Sequence, residues 1–197
     1  MKKIVSILKL KIKQILIFTL IGGLVSFVAT EFLISEMYTS SVTMRVLTVN
    51  PYRTSEGDIH YGEDPLFPIY FIKIKSKSVL EKVEEEIKKD GLYYKLTFLE
   101  NSIKTKKLKE EAMFEISVTT GNKEYSRIVA GAVAEASKEE IKKTGNDKEV
   151  EIVTPPTLPE NPSYPNKILF TSIGALITLI KSCRVIITKN LNQTKRL

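Results

Sequence analysis

Two apolar runs, one near each end of the chain, constrain its fold more than any other feature. The first, from Ile15 to Ile34, reads ILIFTLIGGLVSFVATEFLI, and its one ionisable side chain, Glu31, lies near its C-terminal end. A helix of about 20 residues rises about 30 Å, the depth of a bilayer's hydrocarbon core. The second runs from Ile168 to Ile187 and stays free of charge as far as Ile180, after which Lys181 and Arg184 precede Val185, Ile186 and Ile187. Cations in the last third of a span can extend their long side chains to the headgroups, so this run is also expected to cross.

Charge distribution supports two crossings. The net charge of +7 would suit a nucleic-acid binder if it lay on the folded part,. It lies instead on the flanks. Lys2, Lys3, Lys9, Lys11 and Lys13 precede the first run, and Lys181, Arg184, Lys189, Lys195 and Arg196 end the second. Residues 35–167 hold 20 basic and 22 acidic residues. Positive flanks around apolar runs follow the positive-inside rule, which places both termini in the cytoplasm and disfavours a nucleic-acid partner. A cleaved signal peptide is the alternative for the first run, but Ala29-Thr30-Glu31 is a poor cleavage site,. The expected layout is a cytoplasmic N-terminus over 1–14, a transmembrane helix over 15–34, an extracytoplasmic domain over 35–154, a proline-rich segment over 155–167, a second transmembrane helix over 168–187 and a cytoplasmic tail over 188–197. Gly22-Gly23 would permit close helix packing, although Gly is common in membrane helices for other reasons.

Between the spans the fold class is α+β: one extracytoplasmic α/β domain with a small sheet and packed helices. Val42, Met44 and Val46 alternate with Thr43, Arg45 and Leu47, the period of a strand,. Residues 50–68 carry Pro51, Gly57, Gly62, Pro65 and Pro68 and read as a loop,. Ser78-Val79-Leu80-Glu81 has the form of a capping box, which predicts a helix over 79–89 with Gly91 as its stop. Thr97-Phe98-Leu99-Glu100 could open a shorter helix. Phe114, Ile116 and Val118 alternate into a second strand. Asn122 is the expected N-cap of a helix with Tyr125, Ile128, Val129, Ala132, Val133, Ala136 and Ile141 on its apolar stripe. Residues 149–154 form the last expected strand.

Pro155 begins a segment in which Pro156, Pro159, Pro162 and Pro165 recur every third residue. Three residues per turn is the period of polyproline II, so the segment is expected to be a stiff spacer, with recognition by an aromatic-lined partner as the alternative.

This layout resembles the Wzz-type chain-length determinants, or polysaccharide co-polymerases, and the shorter adaptors of bacterial capsule kinases. The resemblance covers nearly the whole chain. It rests on the basic first span, the strand opening at Tyr38-Thr39-Ser40-Ser41, the Ser78-Val79-Leu80-Glu81 helix, the unit from Phe114 to Lys143, and the run from Thr154 to Lys167 that leads into the second span. It implies a homo-oligomer in the bacterial plasma membrane that influences how long a lipid-linked glycan grows beside its polysaccharide polymerase. The short region between the spans favours the kinase-adaptor branch, whose tail engages a tyrosine kinase. Lys181, Ser182, Cys183, Arg184 and a tail of about ten residues depart from that branch's pattern.

Catalytic chemistry and cofactors are not expected. Cys183 and His60 are each the single residue of their kind, which rules out an internal disulfide, a cysteine-based metal site and a paired-histidine site,. Residues 174–182 (GALITLIKS) lack the second glycine that a phosphate loop needs, Ile180 standing in its place,. Glu84, Glu85 and Glu86 read as a solvated helix face. A two-span sensor whose outer domain binds a small ligand is the alternative function.

Overall fold

Hydrophobic alternation in residues 38–48 organises the region between the two apolar runs. The computed structural model describes residues 9–48, 67–109, 112–144 and 148–194. Its elements are α1 (Ile12–Leu33), β1 (Tyr38–Thr48), α2 (Phe67–Ile74), α3 (Lys77–Lys89), α4 (Leu96–Ser102), β2 (Ile103–Lys107), β3 (Met113–Thr120), α5 (Lys123–Lys142), β4 (Lys148–Thr154) and α6 (Lys167–Thr194). They divide into a sheet unit, Met37–Ser163, and a helix-pair unit, Met1–Glu36 with Tyr164–Leu197. The protein is an α+β fold with a small antiparallel sheet and two long apolar helices.

The sheet has the order β2-β3-β1-β4, and every neighbouring pair is antiparallel. Strand β1 is central, with Val42 opposite Ile116 and Met44 opposite both Phe114 and Ile152. Alternation places Val42, Met44 and Val46 of β1, and Phe114, Ile116 and Val118 of β3, on one fully or almost fully buried face,. Helix α5 covers that face with Val129, Ala130, Val133, Ala134 and Ile141, and α2, α3 and α4 add Tyr70, Ile74, Val79, Leu80, Val83, Ile87 and Leu99. Burying each such Val, Leu or Ile contributes about 1.5–3 kcal/mol.

Helix ends follow local chemistry. The Asn122 side chain accepts hydrogen bonds from the backbone N–H groups of Glu124 (2.9 Å) and Tyr125 (3.3 Å), so it caps α5 as expected,. At the end of α3, Gly91 N–H donates to Lys88 O and Leu92 N–H to Ile87 O, both at 3.0 Å, with Gly91 at φ 75°. This is a Schellman closure, in which a glycine takes the left-handed position and buried Leu92 returns to the core,. Lys82 of α3 donates to Glu139 of α5, which holds the Glu139 carboxyl below its usual range and raises the Lys82 ammonium. Both groups are solvated, so the pair contributes little.

Several expectations need correction. The N-cap of α3 is Ser76, whose Oγ accepts from Val79 N–H at 3.4 Å, two residues before the expected Ser78. Glu81 pairs instead with Lys77, at 3.4 Å. Residues 50–66 of the expected loop, His60 among them, lie outside the described residues. Phe67 and Pro68 already belong to α2, where proline suits a first turn that has no partner for its N–H,. Of the expected stripe of α5, Val129, Val133, Ala136 and Ile141 are buried and Ile128 and Ala132 partly so, Ser126, Ala130, Ala134 and Ser137 join them, and Tyr125 is exposed. Ala130 and Ala134 lie fully buried in that stripe. Strand β2 has little signature in the sequence, its IKTKK holding three lysines and one apolar residue, and it pairs along the edge of β3,.

Ile116 is fully buried at the centre of β3. Ile116→Ala is expected to destabilise the sheet unit by about 2–5 kcal/mol. The loss should be seen as an earlier unfolding midpoint in urea for the detergent-solubilised chain, with Glu100→Ala, on the exposed face of α4, unchanged.

Candidate functional site

In the sheet unit, the proline segment continues the line of β4 along β1. Thr157 N–H donates to Ser41 O and Ser41 N–H to Thr157 Oγ1, both at 3.2 Å, while Ser40 Oγ donates to Thr157 O at 2.6 Å. Further along, Ser163 N–H donates to Met37 O at 2.8 Å. Proline has no N–H to give, so these bonds fall on the residues between the prolines. Pro156, Pro159 and Pro162 are half-buried and Pro155 is exposed, and Pro156 lies beside Gly131 of α5, where a β-carbon would sit 3.5 Å from its ring. The backbone bends at Glu160, Asn161 and Ser163. The segment expected to be a stiff spacer is therefore a strap bound to the start of β1. The three-residue period places proline rings against the domain and leaves intervening residues to bond, a role that period alone does not reveal.

The sheet face away from the core is open and hydroxyl-rich. Thr39 and Thr119 share a 2.8 Å hydrogen bond, and Ser41 and Ser117 one of 3.0 Å. Glu115 Oε1 accepts from Ser117 Oγ at 2.8 Å and Ser41 Oγ at 3.3 Å. Thr39 also bonds Ser163 Oγ at 2.7 Å, so the ladder reaches the end of the strap.

In the helix-pair unit, α1 and α6 are both long and apolar enough to cross a bilayer. They expose Leu20, Leu24, Phe32, Ile168, Leu176 and Ile180, which calls for lipid around them,. Helix α6 is continuous through Lys181 and Arg184, both exposed, and Cys183 is half-buried. Where the helices meet, a β-carbon on Gly22 would overlap Thr178, and one on Gly174 would overlap Ser26. Small residues let the backbones approach, and Ser26 Oγ then donates across the interface to Phe170 O at 2.9 Å,. The packing role considered for Gly22-Gly23 is thus realised, with Gly174 as its counterpart. Glu31 meets Lys167 at 2.8 Å, which explains how a carboxylate sits near the end of an apolar span,.

Among the described residues, no group of three His, Cys, Asp or Glu is placed to hold a metal ion. The acidic residues Glu84 and Glu86 pair with Lys88 and Lys89 on the surface of α3.

The helix pair makes a direct prediction. A β-carbon on Gly23 would lie 3.6 Å from the Ala175 β-carbon, within the span of a disulfide,. In a Cys183→Ser chain, Gly23→Cys with Ala175→Cys should form an intramolecular disulfide on oxidation, read as the loss of two free thiols by mass spectrometry. Adding Gly22→Leu should prevent it by forcing the helices apart.

No protein-family model and no curated protein matches the chain by sequence. Solved structures do match its fold. One described as a full-length bacterial polysaccharide co-polymerase superposes with a TM-score of 0.52 over 96% of this chain and 97% of that one, at 8% identity. At that identity the likeness is one of fold, and it spans the apolar helices as well as the sheet unit.

Proposed function

We propose that this chain is a non-enzymatic membrane regulator of bacterial surface polysaccharide biosynthesis, acting as a co-polymerase that controls the length or export of a capsular or exopolysaccharide. The observation that carries this reading is the end-to-end fold likeness to a full-length polysaccharide co-polymerase, matched over nearly all of both chains. Two apolar helices flanking a small α+β unit give the chain a means of holding a folded domain at a membrane surface. In this reading it works as a homo-oligomer beside a polysaccharide polymerase and its lipid-linked glycan, and those partners supply the chemistry. Coupling to a cytoplasmic tyrosine kinase is a further part of the proposal, resting on the sequence resemblance, and would be seen as altered autophosphorylation of a co-expressed kinase.

Loss of the gene should change the length distribution of the surface glycan, and the wild-type chain should restore it. Replacing Pro156, Pro159, Pro162 and Pro165 together by Ser should broaden the distribution while the sheet unit stays folded, because each proline restricts φ to about −65° and so stiffens the strap. Unaltered glycan in the deletion strain would end the reading. An unaltered distribution with the four-serine variant would end only the role given to the strap.

Topology is tested separately. We place both termini in the cytoplasm, on the basic residues that flank each apolar run,. Single cysteines introduced into a Cys183→Ser chain should react with a membrane-impermeant maleimide on intact cells at Glu100 but not at Lys13 or Lys189. Labelling at Lys189 would show that α6 does not cross.

A further inference from the structure

The two edges of the sheet carry opposite charge. On the edge strand β2, Lys104 and Lys106 are exposed on the open face, opposite Ser117 and Glu115 of β3. On the other edge strand, β4, Glu149 and Glu151 are exposed on that same face, opposite Leu47 and Arg45 of β1. None of these four side chains takes part in an ion pair among the described residues. The helices behave differently: Lys77, Lys88, Lys89, Arg127 and Lys143 each have a carboxylate three or four residues away on the same helix.

Lysines on an edge strand ordinarily blunt it against pairing with other sheets. An acidic edge on the opposite side of the same sheet changes the consequence. Two β2 edges brought together would oppose lysines, and two β4 edges would oppose glutamates, so a two-fold contact through either edge is repelled. A β2 edge against a β4 edge is attracted. The directions also agree. The four strands alternate, so β2 runs parallel to β1 and β4 runs against it. A second copy in the same orientation therefore presents its β4 antiparallel to the first copy's β2. In that pairing Lys104 faces Glu151 and Lys106 faces Glu149 on the open side. Buried Ile103 and half-buried Thr105 face half-buried Ile152 and buried Val150 on the core side, so the face alternation of both strands is kept, and the one like-charge pair is Lys107 opposite Lys148 at the end of the contact,.

We propose that sheet units of successive copies join head to tail, the lysine edge of β2 in one copy pairing with the glutamate edge of β4 in the next. Such a heterologous contact leaves one free edge of each kind on any partial assembly, so copies keep adding, each staggered by four residues along the strands, as a ring if the rotation between copies closes and as an open filament if it does not,. It does not rest on the polysaccharide reading, because its test is of assembly alone.

The experiment uses the full chain in membranes with Cys183→Ser as background. Lys106→Cys and Glu149→Cys in one chain sit on opposite edges of a four-stranded sheet and, level with Thr43 and Leu47 of β1, are offset by four residues along it, roughly 20 Å apart and too far for a short bis-maleimide to join within one copy,. Cross-linking should give a ladder of dimers, trimers and higher species, while either single variant gives none. A double variant that stays monomeric, or a single variant that yields dimers in similar amount, would overturn the proposal. A second arm guards against misfolded variants. Lys104→Glu with Lys106→Glu, and separately Glu149→Lys with Glu151→Lys, should each abolish the high-mass species of the detergent-extracted protein by mass photometry. Co-expressing the two charge-reversed chains should restore it, since each then offers the other an attractive edge. Failure of the mixture to assemble, or no loss in either variant alone, would also overturn the inference.

Discussion

Strand β1 has hydrogen-bonding partners on both sides, and the sheet unit takes its register from it. On one side it meets β3 from Tyr38 to Arg45, and on the other β4 from Thr43 to Thr48. Where β4 ends, the strap takes over through Thr157 and Ser163. A one-residue slip of β1 would turn Val42, Met44 and Val46 to the open face and Thr43 and Arg45 to the core, so burial fixes its pairing. Every position that matters on the open face, from the hydroxyl ladder to the charged edges, inherits that register.

The strap shows how one sequence feature serves two physical needs. A chain lying against β1 would ordinarily add another full ladder of backbone bonds. Prolines at every third position remove donors and limit the bonds to a few, while their rings press on the domain,. The result is a covering that is held at Ser40, Ser41 and Met37 and does not become an edge strand. The sheet's pairing capacity is thereby left to β2 and β4, the two edges whose charges are opposite.

The helix pair depends on absence of side chain more than on any contact. At Gly22 and Gly174 the space of a β-carbon is taken by Thr178 and Ser26, so the helices approach until Ser26 can bond a carbonyl of α6. Lipid gives no hydrophobic drive to associate, so close packing and such bonds carry the association. Lys167 beside Glu31 adds an ion pair at one end of the pair.

Features with a strong local signature were legible in the sequence. The two apolar runs, the alternation in β1 and β3, the Asn122 cap and the Gly91 stop each rest on residues close in the chain, where helical or strand periodicity leaves a direct mark. Strand β2 was not legible, because its lysines give no β signal and its partner supplies the reason to extend. The Ser76 cap was missed for a similar reason, since two serines compete and the turn after α2 selects the earlier one. For the proline segment, sequence determined stiffness and the donors available, while tertiary structure decided that it lies along β1. The charges of Lys104, Lys106, Glu149 and Glu151 are plain in the sequence, but far apart in it. Only the strand order β2-β3-β1-β4 puts them on opposite edges of one face, because that order is set by long-range pairing through β1 and not by anything local to either strand.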